Sequence, residues 1–456
     1  MMHTRLSRHI ICSSGRRAIP SNHDSGPAPI STPATMAAPK RRLHAPPGAA
    51  AEPNKRHRMA ATPPPPSPSD KAAAVLLVPW AVTAKPAFEE ESSEQQPLLP
   101  GLPDHLAQLC LSSLPPKLVH AVCRSWRRLL YSPCFPPFLS LYAVLDSTTT
   151  SASNSVSFAA YDTLSGRWEE LPPPPLPSPP PQLWHPSFLS RRLPLQTVAA
   201  SGRLVVVAGS THALDPALAR PVVFDPVTPR WRLGPEFPFA PRRWCAAGAA
   251  RGRVFVAGGV GAGYDAADAR AGATWDPVAS PSSSSGGWES LPALKDGRFS
   301  RDAAEAVCSG GKVCMVSLRT RGAKEGAVFD LQTGRWEDMP PGMMAGWTGP
   351  SSSDSGEETI YVVDEERGAL IAYDWATDRW NTVVESDRLK GAAEITAGGG
   401  RVCVAVNGGE KVIVVDVTSS SKPPPPRKMM WEVSAPAGKR VVALHVLPRM
   451  TRASAE

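Results

Sequence analysis

Residues 161–168 read YDTLSGRW and residues 329–336 read FDLQTGRW. The same frame returns as FDPVTPRW at 224–231 and YDWATDRW at 373–380. Each copy is an aromatic, an Asp, a turn with Ser or Thr three residues after the Asp, and then Arg-Trp. Asp162 is thus matched with Trp168, Asp225 with Trp231, Asp330 with Trp336 and Asp374 with Trp380. Two further copies have stretched turns. Asp276 follows Trp275 and leads through a Ser/Gly insert to Trp288, and Asp416 follows Val415 and leads through SSSKPPPP to Trp431. Successive Asp positions are 63, 51, 54, 44 and 42 residues apart.

The physical reading of the frame is direct. An aromatic ends one strand, and Asp opens a turn whose backbone N–H groups its carboxylate accepts. Gly166 and Gly334 stand where a hairpin of this length requires a left-handed residue, and Asp378 replaces Gly in the fifth unit. Pro229 fills that slot in the second unit, so its turn must differ, because Pro cannot take φ > 0. Trp then begins the next strand and covers the neighbouring unit. A β-rich run precedes the Asp of each later unit, at 203–208, 253–257, 312–317, 359–363 and 401–406. Six such units at these intervals predict a mainly β fold, a β-propeller. The repeat resembles kelch repeats over about 139–448, with the family's double glycine surviving only at Gly258-Gly259 and a partial match at Ala208-Gly209. Counted from Leu139, the first blade lacks its innermost strand. The apolar run 440–447, left over after Trp431, is expected to return there and close the ring, since an open ring would expose two sheet edges.

Charge and proline divide the rest of the chain. The net charge is +8 over 456 residues, yet residues 1–60 hold ten Lys/Arg and two acids and carry all of that excess. The basic character therefore belongs to a tail and gives no ground for nucleic-acid binding by the folded body. Seventeen of the 52 prolines lie in the first 100 residues, and PPPP runs occur at 172–175 and 423–426. Such runs cannot enter a helix interior or a central strand. Residues 1–97, rich in Ala, Pro and Ser, are expected to be disordered, because they cannot bury enough apolar surface to offset ordering entropy. The clusters at 40–42 and 55–58 resemble a bipartite nuclear-import signal, against the alternatives of a solvated tail or an organelle transit peptide. Met36 and Met59 are alternative starts. The longest apolar stretch, 72–82, is interrupted by Pro79 and falls well short of the ~20 residues of a spanning helix. Eight Cys without a CxxC pair, and no N-x-S/T sequon, favour a reduced compartment, so the nucleus and/or the cytoplasm is expected.

Between tail and repeats, residues 98–138 begin LLPGLPDHLAQLCLSSLPPKLVHAVCRSWRRLLYSPCF. Leu102, Leu106, Leu109 and Leu114 approximate helical spacing, and Asp104 sits where its charge favours a helix N-terminus. A second helical stretch is expected from about 117 to 130. In it Leu118, Val122, Trp126 and Leu129 form one apolar set, and Val119, Cys123 and Leu130 another. Two apolar faces on short helices need burial on two sides, by a partner or by the next domain. The segment resembles an F-box, in its Leu102-Pro103 opening, Leu114-Pro115 and the run Val122 to Arg127. The resemblance implies binding to the small Skp-type adaptor of a cullin–RING ubiquitin ligase. On that basis Leu102, Pro103, Leu106, Leu114, Pro115, Leu118, Val122 and Trp126 are expected at the adaptor groove, with packing inside the F-box as the alternative for each.

Links between blades share one face with the links between each blade's second and third strands, and the Asp…Trp hairpins lie on the other. The inter-blade links carry Arg242, Arg243, Trp244, Arg298, Arg301, Trp347 and Arg388. Arg and Trp are enriched at binding hot spots, and an Arg set would suit an acidic client segment. The candidate client contacts are therefore Arg242, Arg243, Arg298, Arg301, Trp347 and Arg388, against the alternative that each pairs with a neighbouring acid. No catalytic constellation, phosphate-binding loop or metal spacing is present, and no cofactor is expected. Galactose-oxidase-type copper chemistry needs Tyr, His and Cys ligands, and these show no ligand pattern here. Together the F-box and kelch resemblances, which match a large set of plant proteins, imply a non-catalytic substrate-recognition subunit of an SCF-type E3 ligase acting by proximity. The alternative is a propeller scaffold without ligase recruitment.

Overall fold

The computed structural model describes residues 97–147, 156–184, 195–279, 286–300, 304–317, 324–354, 359–418 and 429–452. The basic clusters, the PPPP run at 423–426 and Arg301 lie outside the described residues, as does all of the expected tail but Pro97. Three helices come first: α1 (Asp104–Ser112), α2 (Pro116–Val122) and α3 (Arg124–Leu130). Six four-stranded sheets follow as the blades of a β-propeller. Blade 1 is ordered Lys439–Pro448, Leu139–Ser147, Ser157–Asp162, Arg167–Glu170 from the inside outward. Blade 2 runs from Leu195–Ala200 to Arg230–Leu233, blade 3 from Ala246–Ala250 to Glu289–Leu291 and blade 4 from Ala304–Ser309 to Arg335–Asp338. Blade 5 runs from Ser351–Asp354 to Arg379–Glu385, and blade 6 from Glu394–Gly398 to Met430–Ser434. The last strand of the chain is the innermost of blade 1, as its sequence predicts, and pairs antiparallel with Leu139–Ser147 from Leu139↔Pro448 to Ser147↔Lys439.

The recurring Asp does the same work six times. Its Oδ1 accepts the N–H two residues ahead, at 2.7–3.0 Å, in Asp162, Asp225, Asp276, Asp330, Asp374 and Asp416, the two stretched turns included. Gly166 and Gly334 are left-handed at φ 69° and 65°, Asp378 holds φ 52° in the same slot, and Pro229 stays out of that region. Across each hairpin the aromatic before the Asp sits opposite the Trp, with ring centroids 5.0–5.5 Å apart in blades 1 to 5.

The Trp indole N–H then reaches back to the preceding blade. Trp231 donates to the Pro172 carbonyl (2.7 Å), Trp288 to Pro235 (3.3 Å) and Trp336 to Pro292 (2.8 Å). Each acceptor lies four residues after the preceding blade's Trp: 168 to 172, 231 to 235, 288 to 292. Proline suits this place, since it ends the outer strand and offers a carbonyl with no N–H of its own to satisfy. Trp380 departs slightly: the helix α4 (Pro341–Gly346) is inserted, and Trp380 donates to Gly342 and Met343 carbonyls, both at 3.1 Å. Trp168 closes the circuit on the Ser434 carbonyl of blade 6 (2.8 Å).

Two expectations need correction here. Trp431 is not the sixth structural Trp. The register pairs it with Val414, while Met430 sits opposite Val415, the residue before the Asp. A one-residue shift turns a strand residue to the other face. Trp431 is therefore 37% exposed and Met430 packs into the cluster between blades 5 and 6. Ser434, the acceptor for Trp168, is four residues from Met430, which confirms where the slot lies. The second correction is that Gly258-Gly259 is not the only double glycine. Gly408-Gly409 of blade 6 repeats its backbone, at φ 63° and 91° against 69° and 92°. A Cβ on Gly409 would stand 2.2 Å from the Val441 carbonyl oxygen of the ring-closing strand.

The innermost strands line a central channel of about 800 Å³, with Thr197, Ala247, Ala306, Ser352, Thr396 and Leu444 from the six blades. His445, on the closing strand, is buried and shares a 2.8 Å hydrogen bond with the Thr197 hydroxyl of blade 2. Burial pushes its imidazole down to about 4 from 6.5.

Trp336→Ala should cost about 3 kcal/mol in urea unfolding, through lost burial and lost donor, and Trp431→Ala less than about 1 kcal/mol. Equal losses would refute the slot assignment. Below its ordinary pKa the unfolded His445 takes up a proton that the folded chain refuses, so stability is complete above about pH 6.5 and falls toward pH 4. The unfolding free energy of the wild type relative to His445→Gln should rise by about 3 kcal/mol from pH 4 to pH 7. A difference independent of pH would contradict this.

Candidate functional site

The F-box helices are short, and their ends explain their layout. Pro103 and Pro115 precede α1 and α2 with extended ψ, and Pro116 takes the first position of α2, where no N–H is needed. The expected second helix is broken at Cys123, whose φ of −152° and ψ of 172° end α2 and open α3. The break splits the apolar set. Leu118 and Val122 stay on α2 and are each 57% exposed, whereas Trp126 and Leu129 on α3 turn inward. Trp126 Nε1 donates to the Leu98 carbonyl at 2.8 Å and its ring packs on the cluster of Leu111, Val119, Leu129, Leu130 and Phe135. Trp126 is thus half-buried against the F-box interior, the packing weighed as the alternative for it.

The other expected contact residues share a different environment. Leu102, Leu106, Leu114, Leu118 and Val122 are all exposed, together with Leu109, and Pro103 and Pro115 are exposed beside them. The interior is already filled by Ala107, Leu111 and Val119, so these side chains are surplus to the F-box core. Six exposed large aliphatic residues in 21 positions are an apolar surface of the kind that marks a protein interface.

The F-box leans on the propeller through contacts that the sequence reading missed. Tyr131, just past α3, donates its hydroxyl to Asp162 Oδ2 in the first hairpin. Arg452 reaches the same carboxylate at 3.3 Å and also pairs with Glu169. Burial opposes ionisation of Asp162, but the bonds from Tyr131, Ser165 and the Leu164 N–H, with the Arg452 charge, outweigh it and hold the carboxyl below its usual range. Burial, reinforced by Asp162, raises the Tyr131 phenol well above its ordinary value. Arg449 donates to the Ser132 carbonyl at 2.9 Å and stands 5.5–5.6 Å from the Phe138 and Tyr131 rings. The contact with the blade 1 hairpin puts the F-box on the Asp…Trp side of the ring, opposite the inter-blade links.

On that link face the candidate client residues separate. Arg242 is corrected to a structural residue: it is 2% exposed, donates to the Gly258 and Asp268 carbonyls at 2.7 and 3.1 Å, and stacks on Phe239. The Gly258-Gly259 doublet makes room for it, since a Cβ on Gly259 would meet Arg242 Cδ at 3.1 Å. Trp347 is corrected likewise, being 0% exposed in the core between blades 4 and 5 and edge-on to Trp380. Arg243 is half-buried, bonded to the Gly261 carbonyl at 2.8 Å and set over the Trp244 ring, which sits at the channel wall with φ 60°. Arg298 pairs with Asp296 at 2.5 Å and lies 3.8 Å from Glu325, and Arg388 lies 3.9 Å from Glu432. Arg298 and Arg388 are exposed, and such pairs are worth only about 0–1 kcal/mol. Among the described residues no group of three or more His, Cys, Asp or Glu side chains is placed to hold a metal ion.

No family model matches the chain. It is 42% identical over 372 residues to the F-box/kelch-repeat protein SKIP25 of Arabidopsis thaliana, covering 79% of this chain and 92% of that protein. It is 28% identical over 286 residues to the F-box protein AFR of the same plant, covering 58% of this chain and 68% of that protein. A further F-box/kelch-repeat protein of Arabidopsis thaliana is 24% identical over 358 residues, which are 65% of this chain and 73% of the relative. With an exposed aliphatic stripe on the first two of its short helices and a six-bladed propeller behind them, the chain belongs to the F-box/kelch-repeat protein family of plants.

Proposed function

We propose that the protein is the substrate-recognition subunit of an SCF-type cullin–RING ubiquitin ligase. The F-box holds a Skp-type adaptor and the propeller holds a client protein. The observation that carries this reading is the surplus apolar stripe of Leu102, Leu106, Leu109, Leu114, Leu118 and Val122, exposed on helices whose own core is complete. Burying such side chains against a groove yields about 1.5–3 kcal/mol each at full burial, enough in sum to support a stable complex after the cost of association. The chain performs no chemistry in this scheme. It brings a client lysine near a ubiquitin-charged conjugating enzyme, and the rate gain is one of proximity. Client binding falls to the link face and the channel mouth, because the F-box occupies the opposite side. The proposal includes work in the nucleus and/or cytoplasm, supported by eight cysteines without a CxxC pair and, for the nucleus, by the basic clusters at 40–42 and 55–58.

The test is a pull-down of the full chain with a purified Skp-type adaptor. Wild type should bind, and Leu106→Asp/Leu118→Asp should lose binding at least 100-fold with its melting temperature unchanged, since neither side chain is in the F-box core. Trp126→Ala should instead lower the melting temperature of the F-box. No binding by the wild type would sink the ligase reading and leave the scaffold.

A further inference from the structure

Four consecutive residues after the ring-closing strand touch three parts of the molecule that are far apart in sequence. The Arg449 N–H donates to the Phe138 carbonyl at 2.9 Å and extends the pairing of the last strand with the first. Its guanidinium, on a residue only 3% exposed, donates to the Ser132 carbonyl at 2.9 Å. The Thr451 N–H donates to the Pro226 carbonyl of the blade 2 hairpin at 3.0 Å. The Arg452 N–H donates to the Tyr131 carbonyl at 3.1 Å, and its guanidinium lies 3.8 Å over the Tyr131 ring while engaging Asp162 and Glu169 of blade 1.

Asp162 itself is set apart from its five counterparts. It is 6% exposed, whereas Asp225, Asp276, Asp330, Asp374 and Asp416 are all partly exposed at their hairpins. Like them it caps its own turn, through Oδ1. Unlike them it spends Oδ2 on a hydroxyl from the F-box and a guanidinium from the C-terminal segment.

We propose that residues 449–452 are a strap that fixes the orientation of the F-box on the propeller, with Arg449 and Arg452 as its positioning residues and Tyr131 and Asp162 as its anchor. Because the strap is continuous with the strand that closes the ring, the F-box is seated only when blade 1 is complete. A propeller that has not closed leaves Arg449 and Arg452 away from Tyr131, so its F-box is held on blade 1 only by the Tyr131–Asp162 bond and the Leu164 contact. Resting on the ligase reading above, the strap sets the direction in which the link face presents a client lysine, while adaptor affinity is set separately by the exposed leucines.

The test uses the full chain with a donor and acceptor dye on unnatural residues at positions 105 (α1) and 366 (blade 5). Wild type should show one narrow transfer efficiency. Arg449→Ala/Arg452→Ala should broaden it, with adaptor affinity within about twofold of wild type and a cooperative melt of the propeller retained. If the double variant fails to fold, Arg452→Glu decides, since that exposed side chain can reverse its charge beside Asp162 and Glu169 without opening the core. A distribution as narrow as wild type in the folded variant overturns the strap. In a reconstituted ligase, the lysines that the chain itself acquires ubiquitin on should be few and fixed in wild type and spread in the variant at equal adaptor occupancy. A wild type that binds no adaptor sinks the functional reading, and the dye measurement still decides the strap.

Discussion

The indole N–H of the slot Trp in blades 1 to 5, donated to a backbone carbonyl of the segment before it, is the contact on which the ring depends. A blade is a small sheet with two apolar faces, and it gains stability only when both are covered. The Trp covers one face with its ring and fixes the neighbour's position with its N–H. The acceptor stands four residues past the neighbour's own Trp, so the same short segment that receives one bond has just begun from the residue that gives the previous one. Position is thereby handed from blade to blade around the ring, and the last hand-off, Trp168 to Ser434, requires closure. Where blade 6 carries Met430 in the slot, burial remains but the donor is gone.

Closure is also where the two working parts meet. The first and last segments of the propeller share one blade, and both continue directly into the F-box junction: Leu139 follows Phe138, and Arg449 follows Pro448. Two termini brought together by an innermost and a second strand place an F-box at one fixed site on the ring. Asp162 shows how a repeated residue is put to a second use there. Its Oδ1 takes the turn N–H of Leu164, and its Oδ2 takes the Ser165 hydroxyl of the same turn and still has room for donors that approach from outside. In the first blade what approaches is Tyr131 and Arg452.

The Asp…Trp frame, the fold it implies and the returning strand were legible because they rest on local chemistry: a carboxylate two residues from an amide, and a strand pattern that must be covered. The first helix and the leucine stripe were legible for the same reason, whereas the break at Cys123 that makes two helices of the expected second one was not. What was not legible depends on register and on sequence-distant neighbours. The shift that puts Met430 in place of Trp431 is set by how a long turn threads. The burial of Arg242 and Trp347 is set by links packing on adjacent blades, and Arg-rich, aromatic link segments read alike whether they face solvent or core. The recurrence of Pro four residues after Trp168, Trp231, Trp288 and Trp336 was in the sequence and would have exposed the hand-off, and Gly408-Gly409 would have exposed the second tight turn.

By itself, then, the sequence determined a six-unit propeller preceded by a leucine-rich helical module, since periodicity and turn chemistry are properties of neighbouring residues. The tertiary structure alone decided which of the conspicuous side chains are available to a partner. It turned Arg242 and Trp347 inward, half-buried Trp126, and left Leu106, Leu118 and Val122 outside. It also brought Arg449 and Arg452 onto Tyr131 and Asp162, across some 290–320 positions of chain. Burial is a sum over surroundings assembled from the whole chain, and no window of sequence contains them.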